Sequence, residues 1–518
     1  MRSPILFLLL ACGGQDEPAP ASDGTAYACE ADLTVTGFAL NDHIGFALGS
    51  LGPGGTADWN GDGVNDLLMG SYQKLDVPTP NDNAVGSATL VQSPWSWSEP
   101  RLKLKNQVQL RIEGESGDRF GRSVAWLGDL DGDGRDDFAV GDIRGPRVDG
   151  RWTQRGRVYV FLSADRDTEL VDAERPHKAS AARASLVIEG EADGQRLGHG
   201  LAGVGDLDGD GRPEVLLGAP GSLALVDFAG RAYLLSGGKL AQAAPLLGGM
   251  ARSVADPKAP TLWRGEGGAP LDGFGFACAA VGADAFAVGA AQMTLDASIG
   301  LAPEKSLEFH GPGYVRVVAG EELDERRFEG SAEGELFGFS LGAADLDGDG
   351  VRELLVGSPG FSREGAPRTG RALAFDLTSE GRLPIAEVRG EGPIEMCGWT
   401  VVGYGQIDGE GGDEWAVGSF GYTLVPGEAP AAPCPEVDGS RRVPQAGRVR
   451  LLRSDGAALG QVLGERNADS AGAVAAYLGD LDGSGGTELV FAAFRWDEPA
   501  PRTDAGKVCL FRDFATPR

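Results

Sequence analysis

Seven times along this chain a short apolar run closes on a small residue: LLMGS (67–71), FAVGD (138–142), VLLGA (215–219), FAVGA (286–290), LLVGS (354–358), WAVGS (415–419) and LVFAA (489–493). Their fourth positions, Gly70, Gly141, Gly218, Gly289, Gly357, Gly418 and Ala492, stand 71, 77, 71, 68, 61 and 74 residues apart. Recurrence at a near-constant interval means stacked structural units, each too small to bury its own apolar face.

The units share an internal order. Each opens on a Phe-Gly-like pair: Gly45-Phe46, Phe120-Gly121, Leu197-Gly198, Phe274-Gly275, Phe337-Gly338, Cys397-Gly398 and, most weakly, Ala471-Gly472. The apolar run follows, then a third run such as GRVYVFL or GRAYLLS, and a fourth such as VQLRIEG (108–114). These runs are short, bounded by Gly, Asp and Pro, and lack a helical period, so they read as strands. The 82 glycines among 518 residues supply many tight turns. Four antiparallel strands per unit, seven times over, predict an all-β fold: a seven-bladed β-propeller. The last unit stops after its third strand, Gly506–Arg512, while a spare strand, Leu33–Gly37, precedes the first. Placing the spare strand on the last blade closes the ring and leaves no open edge.

Between the first two strands of most units lies an acidic loop, seen most fully in Asp206–Glu214, DLDGDGRPE. Asp206, Asp208, Asp210, the carbonyl of Arg212 and Glu214 alternate with turning residues. Hard cations take six to eight oxygen ligands, and alternate carboxylates in a tight loop supply them. The last acid comes at the ninth place and the flanks are strands, so the loop is a metal-binding β-hairpin and not an EF-hand. Equivalent sets are Asp58, Asn60, Asp62, Val64, Asp66; Asp129, Asp131, Asp133, Arg135, Asp137; and Asp345, Asp347, Asp349, Val351, Glu353. The seventh residue of each offers only its carbonyl. Unit seven has Asp480, Asp482, Ser484 and Glu488, and is expected to bind more weakly. Unit six has Gln406, Asp408, Glu410 and Glu414, a doubtful cage, and unit four has only Asp284. Ca²⁺ is the expected ion, at about four strong sites with a possible fifth. The ligands leave little room for an activated water, so the expected role is structural.

These residues resemble the FG-GAP repeat, the unit of the integrin α-subunit β-propeller and of many bacterial exported proteins. Phe337-Gly338, DLDGDGVRE and Val356-Gly357-Ser358-Pro359 carry the resemblance, which extends over about residues 30–518. It implies Ca²⁺ loops on one face of a disc and partners docking on the other. No integrin leg or transmembrane segment follows in the sequence, so adhesion is not carried over.

Arg2 and the apolar run Ile5–Ala11 resemble a leader, and Leu9-Leu10-Ala11-Cys12 resembles the bacterial lipobox. The expected organisation is a signal peptide over 1–11, a Gly/Pro/Ala/Asp-rich tether over 12–29, and the propeller over 30–518. Cys12 would carry the lipid, and the protein would be exported and lipid-anchored to a bacterial envelope. Export permits disulfides. Ring closure would bring Cys29 beside Cys509, Cys397 and Cys434 share unit six, and Cys278 reads as a buried thiol.

A net charge of −30 argues against nucleic acid and anionic membrane surfaces as partners. Catalytic patterns are nearly absent. Gly338–Gly342 matches GxSxG, but it aligns with strand starts in other units, and the four histidines have no paired metal spacing. By the topology that the resemblance implies, the long connections 71–85, 142–155, 290–312, 358–369 and 419–446 share the face opposite the metal loops. One of them is basic and aromatic (Arg144, Arg147, Arg151, Trp152, Arg155), and loops on rigid scaffolds carry binding residues. The expectation is a non-enzymatic binding or scaffold module for a protein or glycan. The alternatives are a propeller enzyme acting on polysaccharide or phosphoester, and a calcium-dependent lectin.

Overall fold

The computed structural model describes residues 26–511 except 29–30, 32, 37–42, 52–54, 72–84, 94–100, 104–109, 166–177, 222–228, 248–250, 294–308, 321, 380–381, 408, 410, 425–442, 465–468 and 495–505. Among the described residues the strands form seven blades, whose first four strands run antiparallel, and one separate two-stranded hairpin. Blade two shows the pattern, running from Phe120–Gly128 innermost through Asp137–Asp142 and Arg157–Phe161 to Leu186–Glu189 as its fourth strand. Blade seven takes its fourth strand from the other end of the chain. Leu33–Thr36 pairs antiparallel with Lys507–Phe511, with Leu33 opposite Leu510 and Thr36 opposite Lys507. Innermost strands lie against those of both neighbours, and blade seven lies against blade one. The expected seven-bladed propeller and its closure by the spare strand are both present.

Each second strand is buried along its whole length, as in Asp137–Asp142 and Glu353–Ser358. Neighbouring blades cover both faces of these strands, which is why they read as unbroken apolar runs.

The recurring glycines have a common cause. The glycine of each Phe-Gly-like pair has φ between 77° and 92°, a region that L side chains rarely adopt. Its carbonyl meets the second strand of the preceding blade. A Cβ on Gly218 would lie 2.1 Å from the Gly275 carbonyl oxygen, and one on Gly357 would lie 2.1 Å from that of Gly398. The two glycine signatures are therefore the two sides of one seam between blades. In blade one the pair is offset: Ile44 holds the fully buried position and Gly45 the positive φ, so Phe46 takes the next place along the strand.

A polar residue two places before the pair recurs as well: Asp118, Gln195, Asp272, Glu335, Glu395 and Asp469, all buried. Glu395 Oε2 accepts from the amides of Glu391 and Gly392, and Asp272 Oδ2 from those of Gly268 and Ala269. These side chains satisfy turn amides that burial would otherwise orphan. Glu395 also meets Arg448 at 2.5 Å inside the protein, and this guanidinium holds its carboxyl below the usual range despite burial.

Four blades carry a fifth, outermost strand that runs parallel to the fourth. Ala26–Ala28 lies on blade six, Arg101–Lys103 on blade seven, Lys178–Ser180 on blade one and Ala251–Ser253 on blade two. Each comes from the stretch leading to the fourth strand of the next blade. These strands are three residues long, too short for any alternation to show in the sequence. The same stretch of blade three contains the helix Gly237–Leu247, whose Leu240, Ala241 and Ala244 share one face and pack into the core. That face is too short to show a helical period in the sequence. Among the described residues no helix is long and apolar enough to cross a membrane.

Residues 1–25, with the leader and Cys12, lie outside the described residues, as do Cys29 and Cys434. Cys509 is buried opposite Thr34. Cys397 is a buried free thiol, not half of the expected bridge to Cys434. An Arg450 guanidinium nitrogen lies 3.0 Å from its sulfur, and Cys278 is likewise a free thiol.

Candidate metal centres

The acidic loops share one hydrogen-bond frame. The first carboxylate receives amides from the fourth and sixth positions: Gly61 and Gly63 to Asp58, Gly209 and Gly211 to Asp206, Gly348 and Gly350 to Asp345, Gly483 and Gly485 to Asp480. The third position receives the amide of the fifth, as in Asp208 with Asp210 at 3.2 Å. The fifth receives that of the seventh, as in Asp349 with Val351 at 2.7 Å. The ninth position is buried and accepts the second residue's amide, as in Glu214 with Leu207 and Glu353 with Leu346, both at 2.6 Å. The frame orients the carboxylates with their remaining lone pairs inward.

Four loops gather acidic oxygens within 4.8 Å of one another: Asp206, Asp208, Asp210 and Glu214; Asp129, Asp131 and Asp137; Asp345, Asp347 and Glu353; Asp480, Asp482 and Glu488. Three expected ligands stand apart from these groups. Asp133 turns to Arg135 and to Ser163 Oγ at 3.0 Å, Asp349 lies outside its cluster, and Ser484 is no carboxylate. Blade one, with Asn60 at the third place, brings no three acids within that distance. Its Asp58, Asp62 and Asp66 nevertheless keep the common frame.

The donor set fits a hard cation. Glu214 Oε1 is buried and takes no hydrogen bond among the described residues. Burial, with the neighbouring loop carboxylates, pushes Asp66 and Asp137 up to about 8 and Glu214 and Glu353 up to about 7. Carboxylates so placed need either a proton or a cation. Basic side chains supply part of the charge: Lys239 Nζ lies 2.9 Å from Asp208, and Arg212 reaches back 3.2 Å to Asp129 of blade two. The seventh position, expected to serve only through its carbonyl, thus also tethers the preceding loop.

The eighth position was not singled out in the sequence. Asp136 Oδ2 accepts the Asp58 amide at 2.7 Å, and Asp413 Oδ2 accepts the Asp345 amide at 2.9 Å. Asn65 Nδ2 donates to the Leu478 carbonyl at 2.8 Å. Each loop so equipped is fastened to the backbone around the first ligand of the preceding loop. Aligning the loops column by column gives a polar residue here in these units, which is the available signal.

Blade six departs from the pattern. Gln406 replaces the first carboxylate, and its Nε2 donates to the Gly411 and Gly412 carbonyls, both at 3.0 Å. An amide thus bridges the carbonyl that the other loops would offer to an ion; Asp408 and Glu410 lie outside the described residues. Gln406→Ala is expected to cost about 1–2 kcal/mol equally with and without calcium, measured by urea unfolding. The larger loss from Asp206→Ala should shrink once cations are withdrawn. A Gln406→Ala effect that vanishes in chelator would overturn the assignment.

Two stretches of the chain, residues 198–235 and 337–375, match the FG-GAP repeat family model. The chain carries FG-GAP repeats. Over 206 residues it is 28% identical to integrin alpha-PS2 of Drosophila melanogaster, covering 38% of this chain and 13% of that protein. It is 33% identical to human integrin alpha-IIb over 132 residues, 24% of this chain and 12% of the integrin. With integrin alpha-5 of Xenopus laevis it shares 30% over 182 residues, 34% of this chain and 15% of the integrin. The FG-GAP propeller therefore corresponds to a small part of each of these proteins.

The opposite face of the FG-GAP propeller carries a closed ring of side chains, drawn from the starts of innermost strands and, in blades six and seven, from the ends of the second strands. Phe46 meets Phe494 at 5.3 Å between ring centroids, Phe494 meets Phe420 at 6.4 Å and Phe420 meets Trp399 at 4.5 Å. Trp399 meets Phe339 at 4.6 Å, Phe339 meets Phe276 at 5.0 Å and Phe276 meets His199 at 4.6 Å. His199 contacts Arg122, which returns to Phe46. Every blade contributes. On the same face, Arg147–Val148 and Arg151–Trp152 form a two-rung hairpin, with Arg144 and Arg147 each 5.9 Å from the Trp152 ring. Arg155, grouped with these in the sequence, is committed to Glu189 and Asp193. Ser340 of the GxSxG pattern donates to the Gly398 carbonyl at 3.0 Å across a seam, as Ser123 does to Gly198.

Proposed function

We propose that this chain is a non-enzymatic binding module: a calcium-stabilised FG-GAP propeller, exported and lipid-anchored through Cys12, that docks a protein at its long-loop face. The observation that carries the reading is the ring from Phe46 round to Arg122, which places the half-buried side chains of Phe46, Phe339, Trp399 and Phe494 at the centre of that face. Tyr, Trp, Phe and Arg are the residues that anchor protein interfaces. The integrin relatives support a binding role over a catalytic one. Ca²⁺ would sit in the loops of Asp58–Asp66, Asp129–Asp137, Asp206–Glu214 and Asp345–Glu353, with Asp480–Glu488 weaker, and would supply charge neutralisation to a hairpin. Carboxylate and carbonyl oxygens in this number favour Ca²⁺ over Mg²⁺, which demands a stricter octahedron.

The test is capture of a partner from envelope extract, followed by hydroxyl-radical footprinting of the complex. Protection over 144–155 and 358–369 is the expected result. Protection confined to the metal loops, or turnover of polysaccharide or phosphoester substrates, would overturn the reading.

A further inference from the structure

One member of the ring is charged. Arg122 holds the place that Phe46, Phe276, Phe339 and Trp399 hold in their blades, directly after the seam glycine. Its setting is fixed by His199. The imidazole Nδ1 lies 2.9 Å from the Phe276 carbonyl oxygen, which only accepts, so Nδ1 carries the proton. Burial first, and then the charge of Arg122, hold His199 neutral. Its Nε2 is therefore an acceptor, and an Arg122 Nη donates to it at 3.1 Å. The guanidinium stands 5.0 Å over the Phe46 ring. No carboxylate pairs with Arg122 among the described residues.

The surroundings add positive charge. Arg119 and Arg196 are 7% and 4% exposed. Burial, with neighbouring guanidiniums, pushes Arg119 down to about 9 and Arg122 to about 10. Asp142, pushed up to about 6 by burial, is the acid nearest them, and its charge offsets part of the burial cost of Arg119 and Arg144. Asp142 accepts three amides, from Arg119, Arg144 and Gly145. Burial and the Asp142 charge push Asp118 up to about 8, so it is largely protonated at neutral pH. The Trp152 hairpin extends the basic surface outward through Arg144, Arg147 and Arg151. Arg122 itself has no carboxylate beside it among the described residues, and a desolvated cation so placed is costly to hold. On a chain of net charge −30, this cluster of guanidiniums is out of character.

We propose that the ring mouth is a carboxylate-recognition site, in which the Arg122 fork, oriented by His199 and flanked by Arg119 and Arg196, receives an Asp or Glu side chain of a partner polypeptide. A planar guanidinium offers a carboxylate two parallel hydrogen bonds. The aromatic members of the ring give the residues beside that acid an apolar seat. The proposal rests on the long-loop face being the docking face, and it adds the chemistry of the group docked there.

The test uses the full chain saturated with calcium, and fluorescein-labelled hexaglutamate as probe, read by anisotropy at about 150 mM salt, where distant surface charges are screened. Saturable binding is expected, with none for labelled hexalysine. Arg122→Gln, which keeps a donor for His199, is expected to weaken binding at least ~10-fold. Arg122→Lys should fall between, because it keeps the charge and loses the fork. Arg382→Gln, the same charge change on the metal-loop face, should bind as the parent does. No binding by the parent, or equal binding by Arg122→Gln and the parent, would overturn the proposal. A captured partner that footprints on the long-loop face yet survives both hexaglutamate and Arg122→Gln would overturn carboxylate recognition alone. A footprint on the metal loops would remove the docking face itself.

Discussion

Withdrawal of divalent cations, by chelation and dialysis, is expected to lower the melting temperature by about 10 °C or more at pH 8 and far less at pH 5. Each filled site stabilises the folded state by about 2.7 kcal/mol at a hundredfold excess over its dissociation constant, and several loops act together. The pH dependence follows from the buried ninth positions. Asp66 and Asp137 go from 3.8 to about 8, and Glu214 and Glu353 from 4.5 to about 7, chiefly through burial. Between these limits the folded, cation-free protein holds protons that the unfolded chain has released, so its stability falls as pH rises from about 4 to 8. A bound cation replaces those protons, and its contribution grows across the same window. Differential scanning calorimetry at both pH values checks this; an unchanged melting temperature at pH 8 would remove the structural role of the cation.

Gly275→Ala should destabilise the protein by about 3 kcal/mol or more. Its φ is +92°, and a Cβ there would lie 2.2 Å from the Arg231 carbonyl oxygen and 2.7 Å from the Ala219 amide nitrogen. The left-handed backbone costs an L-residue about 1–2 kcal/mol, and overfilling a packed seam costs about 1–3 more. Gly456→Ala is the control. Its φ is +83° with nothing within 4 Å of the added carbon, so only the conformational cost, about 1–2 kcal/mol, should appear. Urea midpoints distinguish the two; equal losses would mean that the seam yields.

The repeat made the fold legible because its cause is local and recurs. The seam glycines, the buried second strands and the alternating loop acids are each imposed by packing that is the same in every blade. Asp206–Glu214 could be read residue by residue for the same reason. What escaped the sequence depends on neighbours. The eighth-position anchors are visible only once adjacent loops share a face. Gln406 as a bridge needs the Gly411 and Gly412 carbonyls in place. The ring joins residues from seven blades, and the sequence reading took Phe46 as half of a pair when it is the residue after the seam glycine. Asp133 was expected inward, but the adjacent Arg135 and Ser163 hold it. The fifth strands carry too few residues to show a period.

The closure of blade seven has a consequence for how the chain acquires its shape. Leu33–Thr36 finds its antiparallel partner only in Lys507–Phe511, and Ala26–Ala28 finds its neighbour in Ala458–Leu463. During synthesis these strands must therefore wait until Ala458–Leu463 and Lys507–Phe511 have left the ribosome. Until then blade seven is incomplete and the blade one seam is uncovered. Contacts this distant in sequence form slowly and leave strand edges open to wrong partners. Blade seven is completed only when Leu33–Thr36 and Lys507–Phe511 meet, and a chaperone that shields residues 26–36 in the interval would shorten the list of ways to fail.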